Sequence, residues 1–172
     1  MIEFSRYICT YSSAKFELFN YKGMEVRTFL DEFMLIHMCL HAYYDMNSIY
    51  ILYKSYSYRL KYFVDIYGFI KRGNVFWKRF RDICRVYKIE KYVMYIFYYT
   101  SVVFNDESLL TITELEVPDS NFLRRFGLDS EGTFTWEETF IERLFSSDRS
   151  RLLNKYLDEN LKTKIAIGSA LE

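Results

Sequence analysis

The first regular pattern in the chain is an alternation of apolar and polar side chains over residues 15–29. It is interrupted at 20–23, where the sequence Asn-Tyr-Lys-Gly supplies residues typical of a tight turn. Two alternating runs around a turn predict a β-hairpin. Because a lone hairpin is marginally stable in water, we expect this one to extend or cover a larger structure.

Farther along the chain, apolar side chains recur every three to four positions, as they do on the buried face of an α-helix. Thr28 and Asp31 form a capping-box pattern that we expect to open the first helix. That helix is apolar nearly all round, so it should be the central, buried one. The pattern predicts helices from this cap to about Asn47 and over about 57–72, 75–87 and 90–104; Gly73 should end the second of these, and Asn74 should start the third.

The pattern weakens after Asn105. Residues 106–118 alternate weakly and contain the single proline of the chain, so we interpret them as a linker or arm. Short helices are predicted at about 119–126, 136–146 and 148–161, with Asp119 capping the first and Thr135 with Glu138 capping the second. The predicted fold is mainly α, a multi-helix, bundle-like domain with a small N-terminal β-hairpin. We expect a core domain over 1–105, the linker or arm over 106–118, and a C-terminal subdomain over 119–170.

The charges are unevenly distributed although their sum is zero. Residues 71–91 carry eight basic side chains against two acidic ones, whereas the part that follows is acidic. One interpretation is that a basic helix is neutralised by an acidic C-terminal part of the same chain; the other is a phosphate-rich partner. Because there is no overall basic excess and no recognised binding motif, we do not expect nucleic-acid binding.

The cysteines and the apolar segments indicate a cytoplasmic protein. The three cysteines are widely spaced and lack any CxxC arrangement, as expected of reduced thiols used as small apolar side chains. No signal peptide is visible near the start of the sequence. The longest uncharged apolar run, 92–104, is too short and too rich in tyrosine to cross a bilayer, so no membrane partner is expected.

Two pairs of side chains could carry chemistry on one helix face each, because their members lie four residues apart. For His37 and His41 we expect a buried, hydrogen-bonded pair; a site near phosphate or sugar, or a metal, is the alternative. No third ligand is identifiable, so no metal site is predicted. Lys61 and Asp65 could form a surface ion pair or belong to a site. Arg59 lies about 160° around the helix from Lys61 and cannot clamp the same group unaided.

Two segments carry a resemblance to a known family. One reads FMLIHMCLHA over 33–42 and the other RLKYFVDIY over 59–67, and Trp77 follows in an amphipathic helix. Together with the preceding hairpin, this order resembles the C-terminal part of the uncharacterised nucleotidyltransferase family, within the DNA-polymerase-β-like superfamily. The resemblance covers roughly 16–105, and 136–145 resembles such proteins less specifically.

The resemblance implies a two-part enzyme. Its N-terminal α/β part would hold a Gly-Ser or Gly-Thr turn for the phosphates of a nucleoside triphosphate and an Asp-X-Asp pair for Mg²⁺. Its helical part would close the cleft. By this similarity Lys61 would contact phosphate and Asp65 would position Lys61 or the acceptor. Arg59 or His41 would lie at the cleft wall.

This chain departs from that plan, because nothing before residue 33 supplies the phosphate turn or the metal-binding carboxylates. We therefore expect the chain to need no cofactor, to be inactive alone, and to join a missing N-terminal catalytic part or a partner chain. One rival interpretation is a non-enzymatic interaction module, as a homodimer, that uses tyrosine-rich helices and the basic 71–91 face. Another is a small-molecule or nucleotide-binding protein whose histidines and tyrosines line a pocket.

Overall fold

A computed structural model describes residues 16–53, 59–128, 133–160 and 162–163. This part of the chain is mainly helical, and the predicted fold class is confirmed. It divides into two compact units. The first takes its described residues from within 1–43 and 61–118, and the second from within 44–60 and 119–172. The predicted division of the chain into domains stays a prediction.

The predicted hairpin is confirmed. Strand β1 (Phe16–Tyr21) pairs antiparallel with β2 (Met24–Phe29), and Tyr21 faces Met24 across the turn. The two turn residues, Lys22 and Gly23, have φ of 51° and 83°, as a type I′ turn requires. The side chain of Asn20 accepts the Gly23 N–H at 3.0 Å, which fixes the turn locally.

The first helix, α1 (Asp31–Asn47), is buried as predicted: Leu35, Ile36 and Cys39 are fully inaccessible. The predicted capping box is wrong, because Thr28 pairs with Glu17 inside β2 and cannot cap a helix. Acidic residues in the first turn, which the helix dipole favours, mark the start of α1 instead.

The other helices of the first unit lie where the apolar spacing predicts them. They are α3 (Leu60–Lys71), α4 (Trp77–Val86) and α5 (Glu90–Phe104). A short helix, α2 (Ile49–Tyr53), precedes them in the chain but belongs to the second unit. Gly73 has φ of 83° and ends α3 as expected. Asn74 does not cap α4, since the N-cap residue is Phe76 and its side chain makes no capping hydrogen bond.

The core of the first unit is built around α5. Residues 93–97 of this helix are all fully buried. The ring of Phe97 lies 5.8 Å from that of Phe80 and 6.3 Å from that of Trp77, both on α4. Tyr95 meets Tyr43 of α1 edge-on at 4.9 Å. The aromatic content therefore serves largely as packing between these three helices.

Residues 106–118 pack on the first unit. They contain α6 (Ser108–Thr111), and Leu109, Thr113 and Leu115 are buried. The Thr113 hydroxyl lies 3.3 Å from Sδ of Met94 on α5. The weak alternation of this segment thus reflects side chains that are buried against helices of the same unit.

The second unit combines short helices with a two-residue strand pair. Besides α2, its helices are α7 (Ser120–Arg124), α8 (Phe140–Phe145) and α9 (Arg149–Leu153), and β3 (Arg125–Phe126) pairs antiparallel with β4 (Phe134–Thr135). The buried ring of Trp136 stacks on Phe126 at 4.0 Å.

The predicted cap is confirmed for α7 and wrong for α8. Asp119 caps α7 as predicted, and its carboxylate accepts the Phe122 N–H at 3.0 Å. The capping box of α8 is formed by Thr139 and Glu142, not by the predicted residues. The reason is that Thr135 is paired in β4 and that Glu138 binds Lys155 at 2.6 Å.

Candidate functional site

Lys61 and Asp65 lie in the first half of α3 and bind each other. Their side chains are 74% and 41% exposed, so the pair is a surface ion pair. Such a pair contributes only a few tenths of a kcal/mol in the Lys-before-Asp order. Both side chains are therefore available to a ligand at little cost in stability.

His37 and His41 are exposed on α1, so the expectation of a buried histidine pair is wrong. Their rings are nearly parallel, with centroids 6.4 Å apart. Helix α1 is buried around most of its circumference, but positions 37, 41 and 44 form one open stripe at helical spacing. That stripe carries His37, His41 and Tyr44, which all have amphipathic side chains. Their recurrence on one helix face is the sequence pattern that could have predicted a solvent-exposed side of α1.

Tyr62 brings the histidines and the ion pair onto one surface. Its ring meets the ring of His41 edge-on at 6.0 Å. On α3, Lys61 precedes Tyr62 and Asp65 lies three residues after it, which makes Asp65 its neighbour on the helix surface. We call the surface formed by His37, His41, Lys61, Tyr62 and Asp65 the histidine face. Sequence spacing singled out four of these residues and missed Tyr62.

Arg59 lies one residue before α3 and is exposed. By its contacts it belongs to the second compact unit, whereas the histidine face belongs to the first. Its role at a cleft wall stays a prediction.

The electrostatics of the histidine face are close to neutral near pH 7. Partial burial, and next the charge of His41, lower the pKa of His37 from its usual 6.5. The charges of Lys61 and Asp65 offset each other. The face can thus offer hydrogen bonds from imidazole, phenol and ammonium groups, and it gains positive charge on acidification.

The lowered pKa of His37 predicts a pH-dependent stability. In the folded state His37 binds a proton less readily than in the unfolded state, so acidification below about pH 6.5 favours unfolding. We expect the free energy of unfolding to fall between pH 7.5 and about 5.5, and to fall less in His37→Asn. Urea denaturation at both pH values measures this. Tyr44→Asn, on the same stripe, is the matched control and should retain the wild-type loss; an equal loss in His37→Asn would contradict the prediction.

At least four of the eight cations in the basic segment are paired with acidic residues in the described part of the first unit. The closest distances are 2.8 Å for Lys71–Asp106, 3.0 Å for Arg72–Asp31, 3.4 Å for Arg79–Glu32 and 2.5 Å for Arg81–Glu114. Two of the acids precede the basic segment and two follow it. Intramolecular neutralisation therefore explains at least half of the basic segment without a ligand.

Asp106 is the centre of a hydrogen-bonded cluster that the spacing of the sequence did not reveal. Its carboxylate accepts from Lys71 at 2.8 Å, from the Tyr67 hydroxyl at 3.1 Å and from the Ser108 hydroxyl at 2.6 Å. The hydrogen bond from Lys71, followed by those from Ser108, holds the pKa of Asp106 well below its usual range. Since Lys71 and Tyr67 lie on α3 and Asp106 follows α5, these hydrogen bonds join α3 to the segment after α5.

A cleft of about 460 Å³ lies between the hairpin, the start of α1 and the end of α3. Neither histidine nor tyrosine lines it, in contrast to the expected pocket, and the histidine face lies outside it. Two of its three charged residues are already engaged with each other, since Arg72 binds Asp31 at 3.0 Å, and Arg72 also lies 4.2 Å from the ring of Phe69.

The described residues do not bring three or more His, Cys, Asp or Glu side chains together as metal ligands. Cys39 and Cys84 are free thiols in the core of the first unit, and burial raises the pKa of both. They act as small apolar side chains. Cys9 lies outside the described residues. No described helix is long and apolar enough to span a membrane.

Comparison with known proteins bears on the region that contains the histidine face. A family model described as "Uncharacterised nucleotidyltransferase" matches residues 7–105. No curated protein and no solved structure matches the chain significantly. The matched region is more than half of the chain and contains α1 to α5. The chain therefore belongs to the uncharacterised nucleotidyltransferase family.

Proposed function

We propose that this chain supplies the helical part of a nucleotidyltransferase-like protein and closes a cleft against a catalytic part located elsewhere. The observation that carries the proposal is the histidine face. It lies on α1 and α3, inside the region matched by the family model. Its imidazoles and its charged pair are exposed and Tyr62 is half-buried, whereas most of α1 is buried.

The chemistry of nucleotidyl transfer supports placing the reaction centre elsewhere. Transfer of a nucleotidyl group relies on carboxylate-held metal ions that stabilise the attacking and leaving oxygens. The sequence has no Asp-X-Asp arrangement, and its Gly-Ser and Gly-Thr pairs, at 168–169 and 132–133, both lie after the matched region. In the described part of the chain, no group of three or more His, Cys, Asp or Glu side chains comes together as metal ligands. We infer that the chain alone does not transfer nucleotides.

Three residues of the histidine face have roles in this proposal. Lys61 contacts a phosphate, because its long side chain can leave Asp65 at little cost. Asp65 holds Lys61 in place or orients an acceptor hydroxyl. His41 forms part of the wall of the closed cleft. Since Lys61 and Asp65 offset each other, this face alone should bind a nucleotide weakly.

Titration of the isotope-labelled chain with ATP, GTP, CTP and UTP in the presence of Mg²⁺ tests the proposal by NMR. We expect amide shifts centred on the histidine face, and at least a threefold weaker affinity in Lys61→Gln, because the side chain loses its charge. Lys22→Gln, at the exposed hairpin turn, is the matched control and should bind like the wild type.

Two results would contradict the proposal. One is a set of shifts that lies away from the histidine face or does not respond to Lys61→Gln. The other is detectable transfer of a labelled nucleotide to any acceptor by the chain alone, which would overturn its inactivity. A transfer assay with all four labelled triphosphates gives the second readout.

A second candidate function is a non-enzymatic interaction module that uses the outer face of α4. This is favoured by exposed basic residues beside exposed apolar ones: Lys78, Arg85 and Lys88 make no ion pair within the described part of the chain, and Phe76 and Val86 are 55% and 73% exposed. A homodimer held by this face should dissociate in the double variant Lys78→Glu, Arg85→Glu, as light scattering would show.

A further inference from the structure

The outer edge of β2 is unpaired in the part of the chain that the structure describes. Within the described residues β2 pairs with β1 on one side and with no strand on the other. A two-stranded sheet is marginally stable by itself, and an open edge offers unpaired N–H and C=O groups to another strand. Within the described residues, this edge is thus available to pair with a further strand.

One face of the hairpin is apolar and exposed. Tyr21, Met24 and Val26 point to the same side, since residues alternate along each strand and Tyr21 faces Met24. They are 51%, 60% and 44% exposed. Addition of strands to the sheet would cover part of this surface, which gives an apolar contribution to pairing.

We propose that β2 pairs antiparallel with β2 of a second copy of this chain, so that two hairpins form one four-stranded sheet. The turn geometry determines which backbone N–H and C=O groups of β2 point away from β1. In a hairpin with a two-residue turn, Tyr21 and Met24 form a hydrogen-bonded pair, so the backbone groups of Val26 also point toward β1. Those of Glu25 and Arg27 then point outward and can bind the second copy.

The charges favour one of the three registers that are centred on Glu25, Val26 or Arg27. A twofold axis between two antiparallel copies of β2 must pass through a residue and its own equivalent. With the axis at Val26, Glu25 lies opposite Arg27 of the second copy, and the same pair occurs twice. With the axis at Glu25 or at Arg27, like charges oppose each other, which is unfavourable. Within the described part of the chain neither Glu25 nor Arg27 has an ion-pair partner, so both are available.

Charge-swap variants test this register. Glu25→Arg and Arg27→Glu each place like charges opposite each other and should weaken self-association at least tenfold. The double variant Glu25→Arg, Arg27→Glu restores opposite charges and should recover most of the affinity. Sedimentation at concentrations from about 1 μM to several hundred μM measures the dissociation constant. Because both side chains are exposed, the variants should keep the thermal midpoint of the wild type.

Cross-linking provides a second measurement that does not depend on affinity. At the proposed axis the Val26 residues of two copies form a non-hydrogen-bonded pair with Cα atoms about 4.5 Å apart, within the range for a disulfide. In a Cys9→Ser background, Val26→Cys should therefore form a disulfide-linked dimer on mild oxidation. Leu18→Cys, which is 67% exposed on β1, is the matched control and should cross-link far more slowly.

The outcomes separate this proposal from its rivals. Recovery in the double charge swap together with selective Val26→Cys cross-linking supports it. A strictly monomeric chain at the highest concentration would overturn it. So would a dimer that ignores both charge swaps but dissociates in the α4 double variant, since that result assigns the contact to α4.

Discussion

Replacing Phe97 by alanine should lower the free energy of unfolding by about 3–5 kcal/mol, the largest effect that we expect from any single substitution in the first unit. Phe97 is fully buried on α5 and contacts the rings of Phe80 and Trp77 on α4. Truncation removes the apolar contact area and leaves a cavity between two helices that cannot close around it.

Chemical denaturation followed by far-UV circular dichroism measures this loss. Val102→Ala is the matched control on the same helix; this side chain is 41% exposed, and its truncation should change the free energy by at most about 0.5 kcal/mol. If Phe97→Ala does not fold, Phe97→Leu provides a milder change with an expected loss of about 1–2 kcal/mol. A loss below about 1 kcal/mol in Phe97→Ala would show that the ring is not part of the core.

Replacing Glu32 by alanine should cost about 2–3 kcal/mol, although the residue is charged. Its side chain is 4% exposed, and its carboxylate accepts the backbone N–H of Phe76 at 2.8 Å and contacts Arg79 at 3.4 Å. Phe76 is the N-cap residue of α4 and has no capping side chain of its own. Alanine would leave this N–H without its acceptor and one guanidinium without its counter-ion.

Glu32→Gln separates the two contributions. The amide oxygen can still accept the Phe76 N–H, but the charge opposite Arg79 is lost, so we expect an intermediate loss of stability. Glu107→Ala is the control; this exposed side chain makes no hydrogen bond or ion pair within the described residues and should change stability little. Equal denaturation midpoints for Glu32→Ala and the wild type would rule out a structural role for the carboxylate.

The helix termini show what local sequence patterns could and could not predict. Asp119 caps α7 because the cap and the capped N–H lie three residues apart, and such local geometry is readable from the sequence. The carboxylate at the start of α4 comes from Glu32, 44 residues earlier in the chain. No spacing rule connects the two. Thr28 and Thr135 match a capping pattern, but both residues are paired in β-strands and do not cap a helix.

The histidine face also depends on contacts that local sequence patterns cannot predict. Four-residue spacing correctly placed His37 with His41, and Lys61 with Asp65, on single helix faces. Whether a face is buried depends on which neighbouring helices pack against it. For this reason the histidines, expected inside, lie on the open stripe of α1, and Tyr62 links the two pairs.

The sequence by itself determined the helices and the hairpin of the first unit, together with the family, because periodic burial and turn chemistry act over a few neighbouring residues. Tertiary structure alone decided which charges pair, where the histidines face, and that residues 106–118 are packed on the first unit. These outcomes depend on contacts between residues that are tens of positions apart. Such contacts are set by the way whole helices pack against one another, which local patterns do not encode.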